Sequence, residues 1–164
     1  MKKLLLLIAA VCVAQAAGPL RITVLTRLNQ AVPEAYQLFT ERWGAELIEL
    51  RYGDFEAPPP DWDRSEVIFT YLMPREAAER LAPQFQAAIA RGAKVLAHWP
   101  EPAQRFWGLK QDESLLAAAV EYWVQGGSEN IARCLAFLFV KVAGRAGPAV
   151  EPPEPEAALG LYHP

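Results

Sequence analysis

Short apolar runs alternate with longer segments of helical spacing along this chain. The run at 66–72 is almost continuously apolar, which predicts a central strand, whereas the run at 45–50 alternates with period two and predicts a half-exposed edge strand. Two further runs, at 20–25 and 93–97, also have the length and composition of strands. The spacing of apolar residues predicts helices at 33–43, between Pro74 and Gly92, and at 102–109, 112–124 and 129–143.

The order of these elements predicts the fold class. Strand, helix, strand, strand, helix, strand and then helices is the order of a parallel sheet wound with right-handed crossovers. We therefore predict an α/β domain over residues 17–143, with an open, mostly parallel sheet of about four strands and flanking helices in a flavodoxin-like arrangement. Pro83 lies inside the second helical segment and is expected to kink or divide it.

A Pro-rich tail follows the predicted domain. Residues 144–158 contain four prolines and three glutamates, a composition typical of an extended and solvated spacer. Because spacers connect two structures, we interpret residues 159–164 as the start of a following segment that is absent from this chain.

Residues 1–16 have the features of a secretory signal peptide. Two lysines precede an apolar run at 4–13, and Ala14-Gln15-Ala16 is a small-x-small cleavage site. The run is too short to cross a bilayer comfortably, so an uncleaved anchor is the weaker interpretation. Cys12 suggests a lipoprotein instead, but Val11 stands where lipoprotein signals need a small residue. We therefore predict a periplasmic or secreted protein, with no membrane span after cleavage.

Composition favours one soluble domain with a real core, since 52% of the residues are hydrophobic and 21% are charged. The formal net charge is −3, and loss of Lys2 and Lys3 makes it more negative. The acidic balance and the lack of a basic cluster along the sequence argue against nucleic acid or anionic lipid as a partner. Cys134 is the one cysteine outside the signal peptide, and its helical spacing with Leu135 and Leu138 predicts a small buried residue.

Chemistry in parallel sheets collects at the carboxyl ends of the strands. The loop after the first predicted strand, 26–31, contains no glycine and therefore lacks both a dinucleotide fingerprint and a phosphate-cradling loop. We expect no cofactor on this chain. The other strand ends provide three candidate ligand-binding residues, which are Tyr71, His98 and Trp99.

His98 has two interpretations. As a neutral imidazole near Glu101 it is able to ligate a metal ion or transfer a proton. The chain has only two histidines and no His-x-x-x-His spacing, so a structural role is favoured, in which Trp99 packs and His98 bonds a nearby backbone group. No metal site and no catalytic set are predicted.

The most specific segment is Tyr122-Trp123-Val124-Gln125-Gly126-Gly127-Ser128-Glu129-Asn130, which precedes an apolar helix. Gly126 and Gly127 suit the left-handed backbone angles at the end of one helix, and Ser128 is placed to cap the next. An aromatic pair, a Gly-Gly corner and an acidic-Asn step at Asn130 resemble the amino-terminal region of the large cobaltochelatase subunit (CobN type, related to the magnesium-chelatase H subunit). Gly160-Leu161-Tyr162-His163-Pro164 resembles a similar segment of that family.

The resemblance implies a place in cobalamin biosynthesis. The family is an ATP-dependent metal chelatase that inserts cobalt into a corrin-type tetrapyrrole, and it implies cobalt and ATP here only through partner subunits. The family's catalytic body matches no position of this chain. We therefore expect an exported, truncated cobaltochelatase-like protein that acts as a non-catalytic accessory or recognition domain, with a tetrapyrrole or other chelatase segments as its partner. The alternative is an independent periplasmic binding or interaction domain that shares only the fold.

Export is predicted to remove residues 1–16 and leave Ala17 as the first residue. Amino-terminal sequencing of protein recovered from the periplasm measures this directly. A mature protein that retains Met1, or that carries lipid on Cys12, would contradict the prediction.

Overall fold

The computed structural model of this protein describes residues 18–98, 103–110 and 112–150. The predicted signal peptide at 1–16, the candidate residue Trp99 and the segments 151–158 and 159–164 lie outside the described residues. Within the described part, no helix is long and apolar enough to cross a membrane.

The described strands form one open, four-stranded parallel sheet. Their bounds are Leu20–Leu25 (β1), Ile48–Gly53 (β2), Val67–Thr70 (β3) and Lys94–Ala97 (β4). The strand order is β2-β1-β3-β4, and all three strand pairs are parallel. This confirms the predicted α/β fold, with β2 at an edge and β3 inside the sheet.

Helices cover both faces of this sheet. Among the described residues, the α-helices are Val32–Trp43 (α1), Arg75–Arg80 (α2), Ala82–Ala90 (α3), Glu113–Val124 (α4) and Gly127–Phe137 (α5). A 3-10 turn at Trp62–Arg64 precedes β3, a π-type turn lies at Ala103–Trp107, and another at Leu138–Val142 continues α5. Helix α4 begins after Asp112, whose carboxylate accepts hydrogen bonds from the backbone N–H groups of Ser114 and Leu115.

The core lies in two layers, one on each face of the sheet. On one face, Ile22 and Val24 of β1 pack with buried residues of α1, α4 and α5. On the other face, Leu25 and Ile68 pack with α2, α3 and two tryptophans. There, the Phe85 ring stacks on Trp107 with 3.8 Å between ring centroids. Successive strand residues point to opposite faces, so the buried central strands must supply apolar side chains to both layers.

Two predicted elements differ most from the structure. The strand predicted at 45–50 lies at Ile48–Gly53, because pairing with β1 begins at Leu20 opposite Ile48 and ends at Leu25 opposite Gly53. The helix predicted at 102–109 is limited, among the described residues, to the π-type turn Ala103–Trp107. The alternation of apolar residues does not show which residues of the neighbouring strand they pair with, so the predicted limits of this strand were misplaced.

The helical segment after Pro74 is divided into two helices, as expected from the position of Pro83. Helix α2 ends at Arg80, Leu81 joins the two helices, and Pro83 lies in the first turn of α3. A proline in the first turn costs no hydrogen bond, because the N–H groups there have no intrahelical acceptor. Division therefore lets both short helices pack on the same face of the sheet.

The first residues of the predicted spacer, 144–150, contact the domain at three positions. Arg145 donates hydrogen bonds to the Gly18 carbonyl and to Glu66, and Pro148 is buried. Val150 packs against the core on the α5 face. The Pro-rich composition gave no sign of these contacts, because a segment that is held by tertiary packing does not need a periodic pattern of apolar residues.

Cys134 is predicted to be chemically inert in the folded protein. Its side chain is fully buried, and burial raises the pKa of the Cys134 thiol to about 12. The thiolate is the reactive form, so an aromatic disulfide reagent should modify the chain lacking residues 1–16 only after denaturant is added. A Ser128→Cys variant serves as the reactive control, and modification of native Cys134 at a comparable rate would contradict the packing described here.

Candidate functional site

The sheet topology creates a crevice beyond the carboxyl ends of β1 and β3. β1 leads through α1 to β2 on one side of the sheet, whereas β3 leads through α2 and α3 to β4 on the other. Ligands bind at such topological switch points in open α/β sheets. A cavity of about 350 Å³ lies there, and small-molecule sites typically measure ~300–1,000 Å³.

Three parts of the chain line this carboxyl-edge crevice. The loop after β1 contributes Arg27 and Leu28, the end of β3 contributes Tyr71, and the α4–α5 corner contributes Val124 and the glycine pair Gly126–Gly127. Leu28 and Val124 are 55% and 43% exposed, which is unusual for large apolar side chains in this domain. The crevice therefore presents an accessible apolar rim, as ligand sites commonly do.

Tyr71 is held in the crevice by aromatic packing and by a strained turn. Its ring centroid lies 5.8 Å from that of Trp123 and 4.7 Å from that of His98. Leu72 follows with φ of 56°, a left-handed conformation that is costly for a bulky residue and that often occurs near functional sites. The Tyr71 hydroxyl is protonated at neutral pH, as a phenol ordinarily is, and burial raises its pKa further, so it can donate a hydrogen bond to a ligand.

A cation, Arg27, lies at the mouth of the crevice. Arg27 is well exposed and contacts Asp54 and Glu56, with N–O distances of 3.6 Å in both pairs. Its guanidinium also lies over the Phe55 ring, 5.9 Å from the centroid. These contacts hold Arg27 beside the apolar rim. Exposed ion pairs of this kind are weak, so Arg27 is able to exchange a carboxylate of the loop for one of a ligand.

The glycine pair predicted from the sequence forms the other side of the crevice. Gly126 and Gly127 both have φ of 74°, the positive values expected of a glycine corner, and Gly126 has ψ of 175°, in a backbone region that is essentially restricted to glycine. A Cβ atom on Gly127 would meet no other atom within 4 Å, so only the backbone conformation requires glycine there. The amino-terminal end of α5 lies at the same place, and its partial positive charge adds to that of Arg27.

Ser128 does not cap α5, contrary to the prediction. The helix begins at Gly127, its N-cap residue is Gly126, and no side-chain hydrogen bond caps it. Ser128 therefore lies within the first turn, where its hydroxyl is past the capping position. Asn130 lies in the same turn, and neither residue lines the crevice. Of Gly126, Gly127, Ser128 and Asn130, only the two glycines line the crevice.

The candidate ligand-binding residues are only partly brought together. His98 packs on Tyr71 without lining the crevice, and its backbone N–H donates to the Thr70 carbonyl at 3.0 Å. Burial lowers the pKa of His98, so the ring is neutral at pH 7. Trp99, the third candidate, lies outside the described residues. His98 is therefore placed to support Tyr71 from a neighbouring strand end.

Sequence reasoning missed Leu28 and Val124, which give the crevice its apolar rim. Leu28 carried a weak signal, since it is an apolar residue in an otherwise polar loop. Val124 carried none, because one exposed apolar residue on a helix is ordinary. Among the residues that the structure describes, no group of three or more His, Cys, Asp or Glu side chains is placed to hold a metal ion.

Replacing Gly126 or Gly127 by alanine should lower the free energy of unfolding by about 1–2 kcal/mol, because an L-residue is strained at positive φ. Ser128→Ala is the matched control and should change stability by less than ~0.5 kcal/mol, because its hydroxyl makes no capping hydrogen bond. Urea denaturation of the three variants gives both numbers. A Ser128→Ala loss as large as that of the glycine variants would restore the capping role.

Comparison with protein-family models, with curated proteins and with solved structures finds no match to this chain. The resemblance to the cobaltochelatase large subunit therefore depends on its two sequence motifs. The first, Tyr122 to Asn130, lies within the described residues and contributes Trp123, Val124, Gly126 and Gly127 to the crevice. The second, Gly160 to Pro164, lies outside them.

Proposed function

We propose that this domain is a non-catalytic recognition module, related to the amino-terminal region of the cobaltochelatase large subunit, that binds the edge of a tetrapyrrole in the carboxyl-edge crevice. One observation carries the proposal. Gly126 and Gly127, which belong to the motif that resembles the chelatase family, line the same crevice as Tyr71 at the topological switch point.

The lining of the crevice suits one edge of a flat, largely apolar ring. Leu28 and Val124 supply exposed apolar surface at the rim, and Trp123 and Tyr71 supply aromatic surface. Because the glycine pair has no side chains, a ligand can approach the backbone of the corner closely. A cavity of about 350 Å³ holds part of a macrocycle and leaves the remainder outside, where a partner protein can contact it.

The charges at the crevice suit the periphery of the same ligand. Corrin-type tetrapyrroles carry carboxylate and amide side chains around the ring. Arg27 and the amino-terminal end of α5 both favour a carboxylate, and the protonated Tyr71 hydroxyl donates to an oxygen. The apolar rim of the crevice thus matches the ring, and Arg27 and the amino-terminal end of α5 match the peripheral carboxylates.

In this proposal the domain binds and orients the macrocycle, whereas cobalt insertion and ATP hydrolysis belong to other chelatase segments. Such a division is consistent with the composition of the site, which offers aromatic and apolar contacts and one cation. The competing proposal, an independent periplasmic binding domain, uses the same crevice for a different ligand. The identity of the ligand therefore separates the two.

Titration with a corrinoid and with a porphyrin should give saturable quenching of tryptophan fluorescence, because Trp123 lines the crevice. Leu28→Asp and Val124→Asp should each weaken binding by about tenfold or more, since a carboxylate would have to be desolvated against the ring. Tyr52→Asp is the matched control, because Tyr52 is also a large exposed side chain (39%) but lies outside the crevice. It should leave the affinity unchanged.

Two further variants test the details. Trp123→Phe should reduce the quenching amplitude more than the affinity, and His98→Ala should weaken binding by loosening Tyr71. Equal effects of Leu28→Asp and Tyr52→Asp would indicate non-specific adsorption of the macrocycle. Saturable binding of another small molecule, with no binding of any tetrapyrrole, would favour the independent binding domain.

A further inference from the structure

A second and larger cavity, of about 420 Å³, lies at the opposite, amino-terminal edge of the sheet. We call it the amino-edge groove. The first residues of β1 and β4, the turn before β3 and the chain after α3 and after α5 surround it. It is therefore separate from the carboxyl-edge crevice, with the length of the sheet between them.

The amino-edge groove concentrates positive charge in a chain whose net charge is negative. Its basic lining residues are Arg21, Arg64, Arg91, Lys94 and Arg145. Its acidic ones are Asp63 and Glu66. The whole chain has 16 basic and 19 acidic residues, so an excess of basic side chains in one cavity is a local feature of the fold.

The carboxylates of the groove neutralise only some of these cations. Glu66 ion-pairs with Arg145 at 3.3 Å and with Arg21 at 3.9 Å. Arg91 and Lys94 instead donate to neutral backbone carbonyls, those of Asp63 at 2.7 Å and Val142 at 2.9 Å. These two hydrogen bonds fix the side chains without cancelling their charges. Two positioned cations thus border a cavity of ligand size.

We propose that the amino-edge groove binds a small soluble polyanion, a molecule with two or more carboxylate or phosphate groups. Lys94 and Arg91 hold it, and Arg145 and Arg21 contribute once Glu66 is displaced from them. Fixed cations lose little conformational freedom on binding, so their contacts with an anion are favourable. The cavity volume is in the range of small-molecule sites, ~300–1,000 Å³, which favours a compact ligand over an extended chain.

The cations also have a structural task, and the test must separate the two roles. Lys94 meets a carbonyl in the last turn after α5, where a positive charge stabilises the helix end. If Lys94 only stabilises the helix end, its replacement should lower the stability of the folded protein. That role predicts no saturable anion binding and no gain of affinity when Glu66 loses its charge.

The experiment titrates the whole chain with inorganic pyrophosphate and with citrate at low salt, observed by NMR. The backbone amide signals of Gly92 and Ala93, which line the groove, should shift saturably. Lys94→Gln and Arg91→Gln should each weaken binding about tenfold, because each removes one charge-assisted hydrogen bond. Lys141→Gln is the matched control, since Lys141 is exposed, carries the same charge and lies outside the groove.

Glu66→Gln has the opposite expected sign. The glutamine keeps an oxygen that can accept a hydrogen bond from the Arg21 backbone N–H. It removes the negative charge that pairs with Arg21 and Arg145, so the affinity for the anion should rise by about threefold to tenfold. Its melting temperature shows that the variant is folded. The relative responses to pyrophosphate and citrate assign the ligand to phosphates or to carboxylates.

Three results would overturn the proposal. The first is the absence of saturable shifts with both anions. The second is an equal loss of affinity in Lys94→Gln and Lys141→Gln, which would indicate general charge attraction. The third is binding to phosphatidylglycerol vesicles with no binding of either soluble anion, which would assign the groove to a membrane surface.

Discussion

Burial of β1 on both faces is the constraint on which the rest of this structure depends. β1 pairs in parallel with β2 on one side and with β3 on the other, and its side chains enter both core layers. Parallel neighbours require crossover connections, and a strand covered on both faces requires helices on both. The positions of α1, on one face, and of α2 and α3, on the other, follow from that requirement.

The same topology gives the carboxyl ends and the amino ends of the strands different chemistry. At the carboxyl edge, chains diverge from β1 and β3 and leave a crevice lined by aromatic and apolar side chains. At the amino edge, the ends of α3 and of the α5 segment meet the starts of the strands, where cations pair with carbonyls and carboxylates. The crevice thus combines buried aromatic side chains with an exposed apolar rim, whereas the groove is lined mainly by charged side chains.

The α4–α5 corner connects the resemblance to the geometry. Its glycines are needed for backbone angles that other residues adopt only with strain, and their position lets α5 begin beside Tyr71. Glu129, in the first turn of α5, forms a bidentate ion pair with Arg42 of α1 at 2.8 and 3.0 Å. The corner is therefore fixed to the helix that follows β1, and the two sides of the crevice belong to one packed unit.

The sequence by itself determined the four strands, most of the helices and the order of these elements. Apolar periodicity identified the four strands and indicated that β2 is an edge strand and β3 a central one, and the order of the elements implied a parallel sheet. Proline and glycine chemistry identified the division at Pro83 and the corner at Gly126 and Gly127. These properties depend on neighbours along the chain. Strand register, side-chain exposure and the clustering of charges depend on neighbours in space. Only the tertiary structure therefore decided that β2 begins at Ile48 and that Leu28 and Val124 border one crevice. It also decided that basic residues scattered along the sequence meet in one groove.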